Sequence, residues 1–317
     1  MGKDSTSTAA MAVVLVFSQC VALLLAPFFL AMGATAFPDP NNVANPLIYI
    51  VLILVFTAII LGIVRMRRQN AIKWIVLGSM FLSMIIVFFL PAWLLLFPLP
   101  DDPRANLAFV LSVVVSVLLT YALVKKPEWY VVDAAGISVA AGVTAIMGIS
   151  FTILPALLLL VGLAIYDAIS VYKTKHMVTL ADAVAGERLP VLLVIPKTKD
   201  YSFLEQKSLK EQMKKGEERE AMFMGLGDMI IPGVLVVSAM ASNMDKIGTQ
   251  VFGIAGPYLV AVGTLIGGLV GFLILMRYVM KGNPQAGLPL LNSGVIIGYL
   301  ITYYLVFRDL TFGIRLG

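Results

Sequence analysis

Charged positions divide the chain into long uncharged stretches, at 5–38, 40–64, 74–100, 105–124, 134–166, 247–276 and 282–307. A helix needs about 20 apolar residues to cross the hydrocarbon core of a bilayer. The apolar runs are continuous rather than alternating, which argues for helices and against an outer-membrane barrel. The pattern predicts nine spans, near 10–32, 46–64, 74–97, 105–124, 130–147, 151–172, 221–240, 255–276 and 287–307. Residues 148–150 then form a tight turn between the fifth and sixth spans, and Pro91 is a kink point in the third. The first apolar run is too long for the 7–15 residue core of a signal peptide and carries one lysine before it, so it reads as a retained helix.

The one long polar segment, 172–220, separates a six-helix part (1–171) from a three-helix part (221–317). Within it lies a short apolar run of Leu189, Val191, Leu192, Leu193, Val194 and Ile195, bounded by Pro190 and Pro196. That length and those flanks predict a strand. The following 203–219 stretch alternates Lys and Glu and reads as a solvated helix. The eighth span carries Gly263, Gly267 and Gly271, a small-residue ladder at i, i+4, i+8 that predicts close packing on a neighbouring helix.

Composition agrees with an all-α membrane protein. Of 317 residues 60% are hydrophobic and 13% charged, about half the charge of soluble domains. Mean hydropathy is +0.96. A soluble fold, a disordered chain and a disulfide scaffold are all excluded. With one cysteine (Cys20) and one histidine (His176), no Cys/His metal cluster and no Cys–His catalytic pair is expected. No cofactor and no nucleic-acid partner is expected either.

Lys and Arg accumulate on the cytoplasmic side of membranes. Placing the N-terminus in the cytoplasm puts nineteen of them inside and four outside, namely Arg104, Lys246, Arg308 and Arg315. An odd number of spans leaves the C-terminus outside.

Fifteen of the eighteen acids fall in loops or tails; Asp133, Asp167 and Asp228 fall within spans. Intramembrane acids cost roughly 2.5–3.5 kcal/mol at a helix centre and mark functional sites by default. Asp133 lies near the start of its span beside Trp129 and Tyr130, and reads as an interfacial residue without a catalytic role. Asp167 precedes Lys173 by six residues on one helix, and Asp228 follows Glu220 by eight on the next. At 1.5 Å per residue both sit roughly 9–13 Å from the cytoplasmic edge. Two consecutive antiparallel spans thus carry acids at matched depth. Two carboxylates in contact do not both ionise readily, and hold one proton between them. Such a pair suits amide hydrolysis, and equally a proton relay in a transporter.

Local context narrows the choice. Asp167 follows Tyr166, and Asp228 closes Gly225-Leu226-Gly227-Asp228. The glycines weaken the helix before the acid and allow a backbone to approach. Pro232, four residues on, lacks the N–H that would bond the Asp228 carbonyl.

With these motifs the chain resembles the presenilin and signal peptide peptidase family of intramembrane aspartyl proteases. Nine spans with a long loop between the sixth and seventh also match. The family has Pro-Ala-Leu at the start of its ninth span. Here two alignments stand, Pro289-Leu290-Leu291 and Ala286-Gly287-Leu288-Pro289.

The resemblance implies that Asp167 and Asp228 are catalytic, activating a water. Tyr166, Gly225, Leu226, Gly227, Leu288, Pro289 and Leu290 would support the site. It also implies that the 189–195 run pairs with an unwound substrate. Presenilin-type members have a cytoplasmic N-terminus, so the charge split implies transmembrane-helix substrates of type I sense, taken from the lipid bilayer. The short length suggests an archaeal homologue in the plasma membrane. Accessory subunits and a homo-oligomer are left open. The rival reading, a proton-coupled transporter or ion-conducting protein using the same aspartates, lacks the internal repeat that many transporters show.

Overall fold

The computed structural model describes residues 3–66, 69–97, 99–174, 191–198, 201–203, 220–280 and 285–314. Nine α-helices occur among them: α1 Lys3–Ala31, α2 Ala44–Arg65, α3 Gln69–Leu95, α4 Asp101–Lys125, α5 Trp129–Ile149, α6 Ile153–Ile169, α7 Leu226–Ala241, α8 Gly256–Val279 and α9 Leu288–Phe307. Eight are long and apolar enough to cross a membrane; α7, with 16 residues, is shorter. Two antiparallel strand pairs complete the order: β1 Leu192–Pro196 with β2 Ala221–Gly225, and the short β3 Gln250–Val251 with β4 Ile254–Ala255.

Three boundaries differ from the sequence reading. Helix α5 runs through Gly148, because that glycine lies tight against Val237 and gives no reason to stop; the turn comes at residues 150–152. Helix α6 ends at Ile169 and widens into a π-helical turn, Ser170–Thr174. The seventh apolar segment does not begin as a helix. Residues Ala221–Gly225 form β2, and α7 starts only at Leu226. The predicted strand is present at Leu192–Pro196, with Val191 in the turn before it. Leu189, Pro190, His176 and the 204–219 part of the Lys/Glu run lie outside the described residues.

The chain divides into two compact units. The first comprises Met1–Met11, Thr57–Val143 and Val178–Leu226. Its core joins α3 and α5 to the strand pair: Val76, Met80 and Met84 meet Val132, Ala135 and Val139, together with Val194, Tyr201, Phe203 and Ala221. Helices α3 and α4 pack along one another, α4 offering the small buried residues Ala108, Ser112 and Ser116 at a spacing of four. Each serine satisfies its hydroxyl on a carbonyl one turn back. Arg104 is buried at the start of α4, where Nε donates to the Trp93 carbonyl at 2.7 Å and the guanidinium lies 3.3 Å from the Trp93 ring centre.

The second unit comprises Ala12–Phe56, Thr144–Met177 and Gly227–Gly317. Its tightest pair is α8 with α9. The glycine ladder of α8 meets a second one on α9 that the sequence reading passed over. A β-carbon on Gly267 would strike the Gly294 carbonyl and come within 2.8 Å of the Gly298 Cα. One on Gly271 would meet the Leu290 carbonyl at 2.5 Å. Without an aqueous driving force between helices in lipid, such backbone proximity is what van der Waals attraction needs. The part of α2 in this unit presents exposed large apolar side chains, among them Leu47, Val51, Leu52 and Val55, a surface suited to lipid.

Beyond α9, Asp309 ties the loop after α7 to the chain end. It accepts from the Thr311 amide at 2.9 Å and hydroxyl at 2.8 Å, from Lys246 Nζ at 3.0 Å and from the Tyr303 hydroxyl at 2.9 Å. These donors, the Thr311 amide first, hold its carboxyl well below the usual carboxylate range. A depressed carboxylate contributes stability above its unfolded pKa, near 3.9, that is lost as pH falls. Asp309→Asn should therefore lower the unfolding midpoint slightly at pH 7. It should also flatten the fall in that midpoint below pH 4, both read by thermal unfolding in detergent.

Candidate active site

Helix α6 buries Ala156, Leu160, Leu163 and Asp167, a 4-3-4 spacing that keeps one stripe on one face. Asp167 therefore points where the apolar stripe points, and only 4% of it is exposed. Asp228 is the third residue of α7, half-buried, in the first turn where unpaired amides favour a negative group. Pro232 sits inside α7 one turn later, as its spacing from Asp228 requires.

The start of α9 brings the two acids together. The Leu288 amide donates to Asp167 Oδ2 at 3.0 Å. Leu288 is the first residue of α9, so this amide has no partner within the helix. Gly287 also lies flat against Asp228, where a β-carbon would stand 3.2 Å from Cγ and from both carboxylate oxygens. Its φ of −79° is ordinary, so glycine serves here for space and not for conformation. Pro289, in the same first turn, surrenders an amide that the helix would leave unpaired. Both carboxylates are thus set at helix N-termini, and one backbone segment touches both.

An open groove of about 310 Å³ runs between α6 and α9, lined by Leu160, Ala164, Ile165, Pro289, Asn292 and Ser293 among others. Asn292 is 1% exposed; its Nδ2 donates to the Leu160 carbonyl at 2.8 Å, while its buried Oδ1 has no partner among the described residues. This bond clips α9 to α6 one turn beyond Leu288.

Of the residues singled out by sequence, Leu288 bonds Asp167, its neighbour Gly287 lies against Asp228, and Pro289 follows in the same turn. This geometry favours the Ala286-Gly287-Leu288-Pro289 alignment, since the Leu290 carbonyl faces Gly271 of α8 instead. Tyr166 is half-buried one residue before Asp167. Gly225 ends β2 and Leu226 opens α7, packed against Gly136. Gly227 admits no close backbone: nothing lies within 4 Å of a β-carbon built on it. The matched depth also needs correction, because extended β2, not helix, leads to Asp228, and a rise of 1.5 Å per residue does not apply there. Sequence reasoning named Gly287 only as part of an alignment, without a role, and gave none to Asn292. A glycine before Leu-Pro and an asparagine inside an apolar helix were the available signals.

In the first unit the strand pair has two unlike edges. Lys197 donates to the Glu220 carbonyl and Leu226 to that of Val191, extending the ladder at both ends. In an antiparallel pair the bonded positions alternate. The backbone groups of Leu192, Val194 and Pro196 therefore point out on one side, and those of Ala221, Phe223 and Gly225 on the other. On the β1 side, Asp133 Oδ1 takes the Val194 amide at 2.8 Å and Ser7 Oγ donates to the Pro196 carbonyl at 3.3 Å.

A family model described as signal-peptide peptidase, presenilin aspartyl protease matches residues 11–308. A solved structure of a presenilin family intramembrane aspartate protease, in space group C222, aligns with a TM-score of 0.66 and 34% identity, covering 94% of this chain and 99% of that one. A second such structure, in space group P2, aligns with a TM-score of 0.63 and 35% identity, covering 93% and 97%. No curated protein matches the chain significantly.

Proposed function

The chain belongs to the signal-peptide peptidase, presenilin aspartyl protease family, and we propose that Asp167 and Asp228 are the two carboxylates with which it hydrolyses peptide bonds inside the membrane. The family and its solved members are intramembrane aspartate proteases, and nothing in the comparisons supports a transporter. The observation that carries the assignment is the Gly287-Leu288 segment lying on both acids at once.

The chemistry follows from one shared proton. The ionised carboxylate takes a proton from water as the water oxygen attacks the scissile carbonyl carbon. The protonated partner donates to the carbonyl oxygen, giving a neutral tetrahedral diol. Collapse returns a proton to the leaving amine nitrogen, and the carbon–nitrogen bond breaks. The Leu288 amide fixes the Asp167 carboxylate, so the attacking geometry is set before substrate arrives.

A substrate helix hides its amides in its own ladder and must unwind to be cut. Extended backbone within the membrane then needs new partners. The edge of β2 fits that need better than the edge of β1, whose Val194 amide is already taken. Strand β2 ends at Gly225, three residues before Asp228 in the sequence, so a strand added there pairs with the segment that leads into α7 and its acid. The run at Leu192, Leu193, Val194 and Ile195 then acts as the inner strand that supports β2. The groove between α6 and α9 is open for sideways approach from lipid. The split of Lys and Arg supports a cytoplasmic N-terminus, hence type I substrates.

The test is cleavage of a type I transmembrane peptide in detergent. Two fragments should appear, and a hydroxyl-containing mimic of the tetrahedral diol should suppress them. Cleavage that the mimic leaves untouched would contradict a two-carboxylate mechanism.

A further inference from the structure

Asp133 is the third acid within the spans, and the hydrolysis has no use for it. Its position beside two aromatics describes an interfacial acid, and the structure adds a partner: it is 7% exposed, and its Oδ1 accepts the Val194 amide at 2.8 Å. Its helix holds the same region a second time. Glu128, just before α5, accepts the Phe203 amide at 3.1 Å and the Ser202 hydroxyl at 3.0 Å.

The alternation of the ladder says which amide Asp133 occupies. Val194 faces outward from β1, away from β2. An added strand would need that donor. The next outward position, Pro196, has no N–H, and its carbonyl is already engaged by Ser7. The opposite edge is different in kind: no hydrogen bond to the outward backbone groups of Ala221, Phe223 or Gly225 occurs among the described residues.

We propose that Asp133 is a positioning residue that closes the outer edge of β1, so that an unwound substrate adds to β2 alone. The inference rests on the strand-addition reading of the protease given above. Displacing Asp133 would leave a buried acceptor unpaired, which makes the β1 edge the costlier one for any incoming strand. A substrate on the wrong edge would lie one strand spacing, about 4.8 Å, further from the chain that leads to Asp228. Closing that edge keeps cleavage at one peptide bond.

Disulfide trapping tests this in a Cys20→Ser background, Cys20 being the sole cysteine. A single cysteine is introduced as Leu192→Cys on β1 or Phe223→Cys on β2, and a transmembrane peptide carries one cysteine beside its cut site. The parent should trap predominantly at 223, with only a small fraction at 192. Asp133→Leu should raise the 192-to-223 trapping ratio about tenfold, the order expected for freeing one buried donor, and its products should spread over more than one bond by mass spectrometry. Asp133→Asn keeps the acceptor oxygen and should retain the parent pattern, which a role in charge alone would not predict. Trapping and products in Asp133→Leu identical to the parent would overturn the proposal and leave strand addition intact. A parent that cuts the peptide yet traps it at neither position would remove strand addition, and this inference with it. Should Asp133→Leu fail to fold, Asp133→Ser is polar but too short to reach Val194 and must show the same gain.

Discussion

Replacing either Asp167 or Asp228 by asparagine should abolish cleavage, with kcat/KM falling by about 10³-fold or more. The shapes are unchanged, and Asp167→Asn still offers an oxygen to the Leu288 amide. What disappears is the shared proton: an amide neither takes a proton from water nor delivers one to the scissile carbonyl. The unfolding midpoint in detergent should move little, so the loss reads as chemistry and not as misfolding. Because the two acids act as one unit, the double variant should be no worse than either single one. A single variant that keeps a tenth of the parent activity would remove its residue from the reaction.

The second large effect is expected at the contact between α8 and α9. Gly267→Val should separate α8 from α9. Its β-carbon meets the Gly294 carbonyl and the backbone of Gly298, and backbone within a helix has no rotamer to escape into. Overpacking of this kind typically costs about 1–3 kcal/mol, more where backbone must shift. Activity should fall with stability, since the same helix pair carries the Leu290 carbonyl against Gly271, two residues from the Leu288 amide on Asp167. Gly62→Ala is the control, with nothing within 4 Å of its β-carbon. Equal midpoints for Gly267→Val and the parent would show that the two backbones are not in contact.

Both predictions join features of unequal legibility. The apolar segments announced themselves by length, because a membrane span must satisfy every amide within itself and so must be long. Asp167 and Asp228 stood out for the complementary reason that acids are rare there. The α8 ladder was visible as a spacing, but its partner was not: Gly294 and Gly298 are ordinary until Gly267 is placed against them. Strand β2 was hidden because Ala-Met-Phe-Met-Gly is as apolar as the helix it precedes, and apolar runs of that length carry no period of their own. Its partner β1 decides the matter by pairing with it.

Asp133 marks the same limit from the other side. Its sequence position beside two aromatics describes an interfacial acid, yet its role depends on an amide sixty-one residues away. By itself, the order of residues determined a multi-pass helical membrane protein, the two intramembrane acids and the motifs around them. Those are properties of solvent transfer and local spacing, which act on each segment separately. Only the tertiary structure decided that Gly287 and Leu288 lie on both carboxylates, that extended chain leads to Asp228, and that one edge of the strand pair is closed. Hydrogen bonds and close contacts between distant segments depend on how those segments meet, and no local pattern records that meeting.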